Sequence, residues 1–415
     1  MNAIHASDPA SALRRTVLHK WHVENAGRMV GFGGWEMPVQ YAPGIAREHI
    51  ATRTGAGLFD VCHMGRFRAL GRRAVEFLSA KLTNDPSTLA PRQAHYTLLA
   101  DEQGGAIDDC YLYRLGVEDF LLVVNASNRD KDWAWLHAER LPPDVVLEDV
   151  SDALAMLALQ GPSSGEVLES VIGHGTLPEP RRNRVRVVTY GGIELVVART
   201  GYTGESVCFE LFMPASAAVE LWQRLVDAGA QPAGLGARDS LRLEAGLPLY
   251  GHELGRDTDG NEIPIFANAL ARFGVRRPGR GGYVGGIALD RQRAELEEIL
   301  SGSCSTQAQQ RLLKRLVKPL AAFESRRPLR AGYRLFLDGD EAGYVTSGTS
   351  VPVARIGAGL DDQPEMRPIG LALVRSDIRF AANPRVRFDV RDARGDVLVA
   401  ELVERNLPPA PRSSV

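Results

Sequence analysis

Along the chain, apolar and polar positions change period repeatedly, so no single strand–helix repeat runs through it. Arg184 to Arg199 (RVRVVTYGGIELVVAR) sets two β-branched runs on either side of Gly191-Gly192. Paired glycines accept positive φ at little cost, and this stretch therefore predicts a tight hairpin. Tyr333 to Val345 predicts a second one, with Asp338-Gly339 between YRLFL and EAGYV. Helical spacing is legible over Ala215 to Ala228, where Val219, Trp222 and Val226 fall on one face and Gly229 supplies a left-handed cap. Asp290 to Lys318 is rich in Glu, Gln, Arg and Leu and breaks at Ser301-Gly302-Ser303, which predicts two surface helices joined by a short turn. Short strand patterns from Pro319 to Val403 predict a compact β domain at the C-terminus. The irregular alternation belongs to an α+β protein rather than a repeating βαβ array. Met1 to Ala12 reads as a loose leader and Leu407 to Val415 as a frayed tail.

Composition narrows the function classes. The chain has 415 residues, and at roughly 100–200 residues per domain it should form about two to four domains. Lys+Arg (49) and Asp+Glu (51) nearly cancel, which argues against a nucleic-acid or membrane-surface protein, whose affinity rests on excess basic charge. An anionic ligand must then be met by a local cluster of positive residues. No apolar run approaches the roughly 18–20 residues needed to cross a bilayer. Cys62, Cys110, Cys208 and Cys304 lack any C-x-x-C spacing, so neither a disulfide scaffold nor a zinc site is expected and a reducing cytoplasm fits.

Three glycine-marked segments carry the candidate chemistry. In Asp101 to Tyr113 (DEQGGAIDDCYLY) a turn delivers a strand bearing Asp108-Asp109 and alternating Tyr111 and Tyr113. Adjacent strand residues face opposite ways, so only one of the two carboxylates can face a given pocket; both shaping the turn is the plainer alternative. In Arg199 to Glu210 (RTGYTGESVCFE) a bend holds Tyr202 between two glycines. That ring can stack on a flat heterocycle while Glu210 accepts hydrogen bonds from an amino-pyrimidine edge, or the tyrosine simply covers a hydrophobic edge. In Ala233 to Gly251 (AGLGARDSLRLEAGLPLYG) Arg238 and Arg242 stand four apart and share a helix face. Such arginines can clasp an acid two-pronged, or belong to an Arg–Asp–Glu surface network.

Other motifs fail. Gly279 to Gly282 (GRGG) follows no strand and fits neither the dinucleotide nor the phosphate-loop spacing. Cys62-His63 lacks further ligands at metal spacing and reads as a packed core pair. No Ser–His–Asp set with recognisable context is seen.

Taken in order, thirteen short motifs resemble the glycine cleavage T-protein (aminomethyltransferase) family. They are Leu18-His19, Met29 to Tyr41 (MVGFGGWEMPVQY), Leu58 to Gly65 (LFDVCHMG), Leu82 to Asp85, Tyr96, Gly104 to Asp109 (GGAIDD) and Val123 to Asn128 (VVNASN). Leu159 to Pro162, Thr200 to Gly204, Ala233 to Glu244, Tyr283 to Leu289, Val345 to Gly348 and Ile369 to Val374 continue the match over nearly the whole chain. The resemblance implies three domains in a cloverleaf around a central folate channel, with a β-rich C-terminal domain. It divides the chain into 14–60 with 150–233, 61–149 with 234–290, a helical excursion at 291–318, and a β domain at 319–407. It implies that tetrahydrofolate receives a one-carbon unit from an aminomethyl-lipoyl carrier (H-protein), yielding 5,10-methylenetetrahydrofolate and ammonia. It places the catalytic carboxylate on Asp109 and assigns Tyr96, Asp109, Asn125, Tyr202, Glu210 and Arg238 to the folate pocket, with no metal.

The chain departs from the family pattern in places. Cys62 stands where serine is usual. Ile263-Pro264-Ile265-Phe266 replaces a Thr-Pro-x-Glu stretch, and Ser350-Val351-Pro352-Val353 replaces Ser-Pro-Thr-Leu. These leave open a folate-dependent demethylase of a methylated small molecule. A non-catalytic folate-binding relative is the other alternative, but it would carry Lys-Gly-Cys-Tyr where this chain has Arg199-Thr200-Gly201-Tyr202.

Overall fold

A computed structural model describes residues 12–279, 282–303, 310–353, 364–379 and 385–403. The leader through residue 11, two residues of the GRGG stretch, Cys304 and the C-terminal tail lie outside the described residues. Contacts group the chain into two units: one joins the residues up to Thr97 to Cys110–Leu241, the other joins Leu98–Asp109 to the chain from Arg242 onward.

The first unit is organised by a six-stranded sheet, in the order Val185–Tyr190, Ile193–Ala198, Cys208–Pro214, Leu154–Gln160, Gly57–Asp60, Gln231–Pro232. All its pairs are antiparallel except the last. The first two strands are the expected hairpin, turning on Gly191 and Gly192 at φ +57° and +82°, the doubly left-handed geometry that matches strand twist. Side chains alternate across this sheet. Phe209, Leu211 and Met213 pack with Leu157, Leu159 and the helices, whereas Phe212 packs on the other face with Met156, Ala158, Leu121 and Val123. Glu210 therefore shares the Phe212 face. The helix over Ala218–Asp227 forms as expected and Gly229 takes φ +101°, but its face differs from the expectation. Ala218, Leu221, Trp222 and Leu225 are buried while Val219 is exposed. Burying Leu221 and Leu225 contributes about 1.5–3 kcal/mol each.

A five-stranded sheet runs Gln93–Ala100, Ala106–Arg114, Asp119–Val124, Gly65–Leu70, Val146–Asp149. The chain passes from one unit to the other within its first two strands. On Ala106–Arg114 burial alternates: Asp108 is fully buried, while Asp109 and Tyr111 are half-buried on the opposite face. The reading that the two aspartates face opposite ways holds.

The second unit contains a closed six-stranded barrel of Arg315–Ala321, Glu365–Arg375, Asp340–Val353, Arg334–Leu337, Arg387–Arg391 and Val397–Leu402. Leu335, Val345, Ala372, Val374, Phe388, Val390 and Leu398 fill it. The second hairpin turns as expected, with Asp338 at φ +53° and Gly339 at +92°. Of the paired surface helices expected over 290–318, the first forms, 304–309 lie outside the described residues, and the end of the second is corrected. One helix spans Gly286–Ser301 and stops at Gly302, φ +84°, and Arg315 already begins a barrel strand. That helix is not merely superficial. Its buried Gln292 donates to the Gly104 carbonyl (3.0 Å) and accepts from Phe266 N–H (3.1 Å), holding the turn that leads to Asp108-Asp109. A side chain at Gly104 would crowd the Gln292 amide, and φ there is +80°, so glycine suits the turn on both grounds.

Candidate functional site

Glu210 is the centre of the polar group in the first unit. Its strand carries it to the face opposed by the five-stranded sheet, where Tyr113 reaches it. Tyr113 Oη donates to Glu210 Oε2 at 2.6 Å, and Thr200 Oγ1 donates to the same oxygen. No described residue donates to Oε1. Glu210 is 7% exposed, so the two hydroxyls supply hydrogen bonds that burial would otherwise remove. Tyr111 stands 5.5 Å from Tyr113, ring to ring, and Tyr96 stands 6.4 Å from Tyr111. The three rings form one aromatic row. Burial, then the charge of Glu210, pushes the Tyr111 and Tyr113 hydroxyls well above the usual phenol range, so both stay protonated as donors.

Tyr202 lies in a pinned bend. Thr203 Oγ1 donates to Gln160 Oε1 (3.0 Å), Gln160 Nε2 donates to the Phe209 carbonyl (3.1 Å), and Arg53 pairs with Glu205. A side chain at Gly201 would run into the Gln160 amide. The half-buried Tyr202 ring meets the Arg238 guanidinium at 4.8 Å, a cation–π arrangement. Arg238 comes from the helix Leu235–Glu244. At the start of that helix the buried Glu48 carboxylate accepts Gly234 N–H (2.9 Å) and Tyr41 N–H (2.5 Å), a negative group at a helix N-terminus. Burial lowers the Arg238 pKa, and the charges of Glu210 and Tyr202 act against that. One terminal nitrogen of Arg238, Nη1, is buried without a hydrogen-bond partner among the described residues.

The sequence-derived residues thus divide. Tyr96, Tyr202, Glu210 and Arg238 are linked by ring contacts or charge within one unit, through Tyr111 and Tyr113. Asn125 follows the strand Asp119–Val124 and is half-buried. Asp109 falls in the other unit by its contacts and is half-buried on the strand face of Tyr111. Among the described residues no three His, Cys, Asp or Glu side chains are placed to hold a metal. No helix among the described residues is long and apolar enough to cross a membrane.

Residues 18–265 match the GCVT N-terminal domain family. This chain belongs to the GCVT family. An aminomethyltransferase of Deinococcus deserti is 40% identical over 392 residues, spanning 92% of this chain and 97% of that protein. One from Rubrobacter xylanophilus is 44% identical over 350 residues, spanning 84% and 86%. The crystal structure of the glycine cleavage system aminomethyltransferase T from Bartonella henselae matches at a TM-score of 0.76 and 30% identity, over 96% of this chain and 99% of that one. The family resemblance and the mixed α/β architecture with its β-rich C-terminal region therefore stand.

In this GCVT protein Tyr113 and Thr200, the two partners of Glu210, stand in segments marked by the sequence but were not assigned there to the pocket. The period-2 spacing of Asp109, Tyr111 and Tyr113 was the available signal for Tyr113; the motif Thr200 to Gly204 contains Thr200 but does not pair it with Glu210. Arg242, one helical turn beyond Arg238, is no surface residue. It is buried against Glu253 at 3.1 Å within the second unit.

Proposed function

We propose that this chain is a tetrahydrofolate-dependent aminomethyltransferase that accepts its one-carbon unit from an aminomethyl-lipoyl carrier (H-protein). The observation that carries the reading is the group around Glu210. A carboxylate with one oxygen committed to Tyr113 and Thr200 presents its other oxygen as an acceptor for N–H donors. That is the chemistry an amino-pyrimidine edge requires. The Arg238–Tyr202 pair adds a flat cationic surface for a conjugated ring or acid. Asn125 and Tyr96 complete the proposed pocket.

In the proposed reaction the carbon–sulfur bond of the aminomethyl group breaks with its electron pair on sulfur. The carbon then bonds to two folate nitrogens, its bond to the amine nitrogen breaks, and ammonia leaves. The two protons lost from the folate nitrogens end on the thiolate and the ammonia, giving a thiol and 5,10-methylenetetrahydrofolate. Asp109 is the proposed catalytic carboxylate, stabilising positive charge at the reacting nitrogen and accepting its proton. The three-domain cloverleaf around a folate channel, with 14–60 and 150–233 interleaved with 61–149 and 234–290, belongs to this proposal, as does a cytoplasmic location.

The test is turnover of purified protein with tetrahydrofolate and aminomethyl-loaded carrier, following ammonia and methylenetetrahydrofolate. Ammonia release that requires both partners is expected, and Asp109→Asn, nearly isosteric, should cut turnover about 10²-fold or more while leaving thermal stability unchanged. Full activity in Asp109→Asn would remove that residue from the mechanism.

A further inference from the structure

A buried histidine, His63, is left unused by the proposed reaction. Asp60, at the end of the strand Gly57–Asp60, is buried in a network of its own. Its Oδ2 accepts from Thr16 Oγ1 (2.7 Å) and meets His22 Nε2 (2.9 Å), while Tyr41 Oη meets His22 Nδ1 at 2.7 Å. Its Oδ1 accepts Cys62 N–H at 2.8 Å, and Met64 N–H donates to the Val61 carbonyl. The turn carrying His63 is therefore held from both sides by buried hydrogen bonds. Val61 and Met64 pack in the same apolar cluster as Ala237 and Leu241, the neighbours of Arg238 on its helix.

His63 is 3% exposed, edge-on to Phe32 at 5.9 Å, and its Nδ1 has no hydrogen-bond partner among the described residues. Arg238 Nη1 is in the same condition. The Arg238 charge acts on the His63 ring, and the turn and the helix that carry the two residues pack in one apolar cluster, so the two side chains are neighbours. Buried polar nitrogens are rarely left without partners, and each pair of exceptions asks for an explanation.

We propose that His63 is a ligand-binding residue of the Arg238 site, its Nδ1–H and Arg238 Nη1–H converging on one electron-rich oxygen of the bound substrate. A carbonyl or carboxylate oxygen of the folate molecule is the group of that chemistry, so the inference rests on the folate reading. The histidine acts as a neutral donor. A cationic ring there would have to be buried and would be repelled by Arg238 and Arg66, with Asp60 opposing, whereas a neutral one satisfies the oxygen and leaves the charge to the arginine. The Thr16–His22–Tyr41–Asp60 network is the support that keeps the turn in place.

Tetrahydrofolate is titrated by fluorescence quenching into the full chain as wild type, His63→Phe, Arg238→Met and the double variant. His63→Phe is expected to weaken binding about tenfold, the loss of one hydrogen bond. Its unliganded melting temperature should be unchanged or higher, since an apolar ring replaces an unsatisfied one. The double variant should lose less affinity than the product of the two single losses, because both residues hold one oxygen. His63→Gln, which keeps an N–H donor, should bind more tightly than His63→Phe. Wild-type affinity in His63→Phe, equal losses in Phe and Gln, or losses that multiply would each overturn the proposal while leaving the folate reading intact. A wild-type protein that binds no tetrahydrofolate would sink that reading and this inference together.

Discussion

Removing the Glu253 carboxylate should take an ion-pair partner from a buried guanidinium and destabilise the second unit. Glu253 is fully buried, and Arg242 is only 2% exposed at its side chain. Glu253 Oε2 accepts Arg242 Nη1 at 3.1 Å and Leu249 N–H at 3.0 Å; Oε1 accepts Thr346 Oγ1 at 2.5 Å and Ser347 Oγ at 2.6 Å. Thr346 Oγ1 also reaches the Leu371 carbonyl at 3.0 Å, so that hydroxyl keeps a partner after the loss. Arg242 retains the Leu247 carbonyl at 3.2 Å but no counter-charge from Glu253. Breaking a buried ion pair by deleting one partner costs about 3–5 kcal/mol, and Glu253→Ala should fall in that range. Deleting both charges behaves differently. Arg242→Met with Glu253→Leu removes the guanidinium as well and should cost about 1–3 kcal/mol, chiefly for the orphaned Leu249 N–H and Ser347 hydroxyl. Urea unfolding of the four proteins of this cycle, followed by far-UV circular dichroism, gives the coupling. A coupling of about 2 kcal/mol or more is expected. A loss below about 1 kcal/mol in Glu253→Ala, or single losses that simply add, would refute the reasoning.

Other expectations follow from the same geometry. His63 is held at about 4 against a usual 6.5, first by burial and then by Arg238 and Arg66, with Asp60 opposing. A folded value below the unfolded one means that His63 permits full stability above pH 6.5 and erodes it as pH falls toward 4. At about 1.36 kcal/mol per pH unit this amounts to about 3 kcal/mol. His63→Phe should lack that share of the acid loss in denaturation curves between pH 7 and 4, and an unchanged acid slope would contradict the assignment. Arg238→Ala should weaken tetrahydrofolate binding at least tenfold, as expected for a charged hydrogen-bonding group, while shifting the unliganded melting temperature little; unchanged affinity would return Arg238 to a structural role. Cys62, Cys110 and Cys208 are buried, and burial pushes the Cys208 thiol up to about 11 and raises Cys62 as well. Iodoacetamide should leave all three unmodified in native protein, and rapid modification of any of them, read by peptide mass, would contradict this burial.

Local chemistry determined the elements that turn on their own residues. Gly191-Gly192 and Asp338-Gly339 make hairpins because two successive residues accept positive φ, a property visible without the rest of the chain. Gly229 and Gly302 end helices for the same reason. Strand alternation likewise separated Asp108 from Asp109. The ordered motifs carried the family, since thirteen short matches preserve chain order as well as composition. Tertiary structure decided what each face meets. The Ala218–Asp227 helix was legible, yet Leu221 and Leu225 rather than Val219 turn inward, because the sheet beneath selects the stripe. Glu210 draws Thr200 from 10 residues away and Tyr113 from 97. Arg242 and Arg238 look equivalent one turn apart, but only Arg242 is claimed by Glu253, which in turn binds hydroxyls 93 and 94 residues further on. The barrel strand at Arg315–Ala321 reads as the tail of a helix until Glu365–Arg375 and Val397–Leu402 pair with it. Periodicity and turn residues record the local backbone, whereas partners across long loops depend on where the chain returns, which no window of sequence contains.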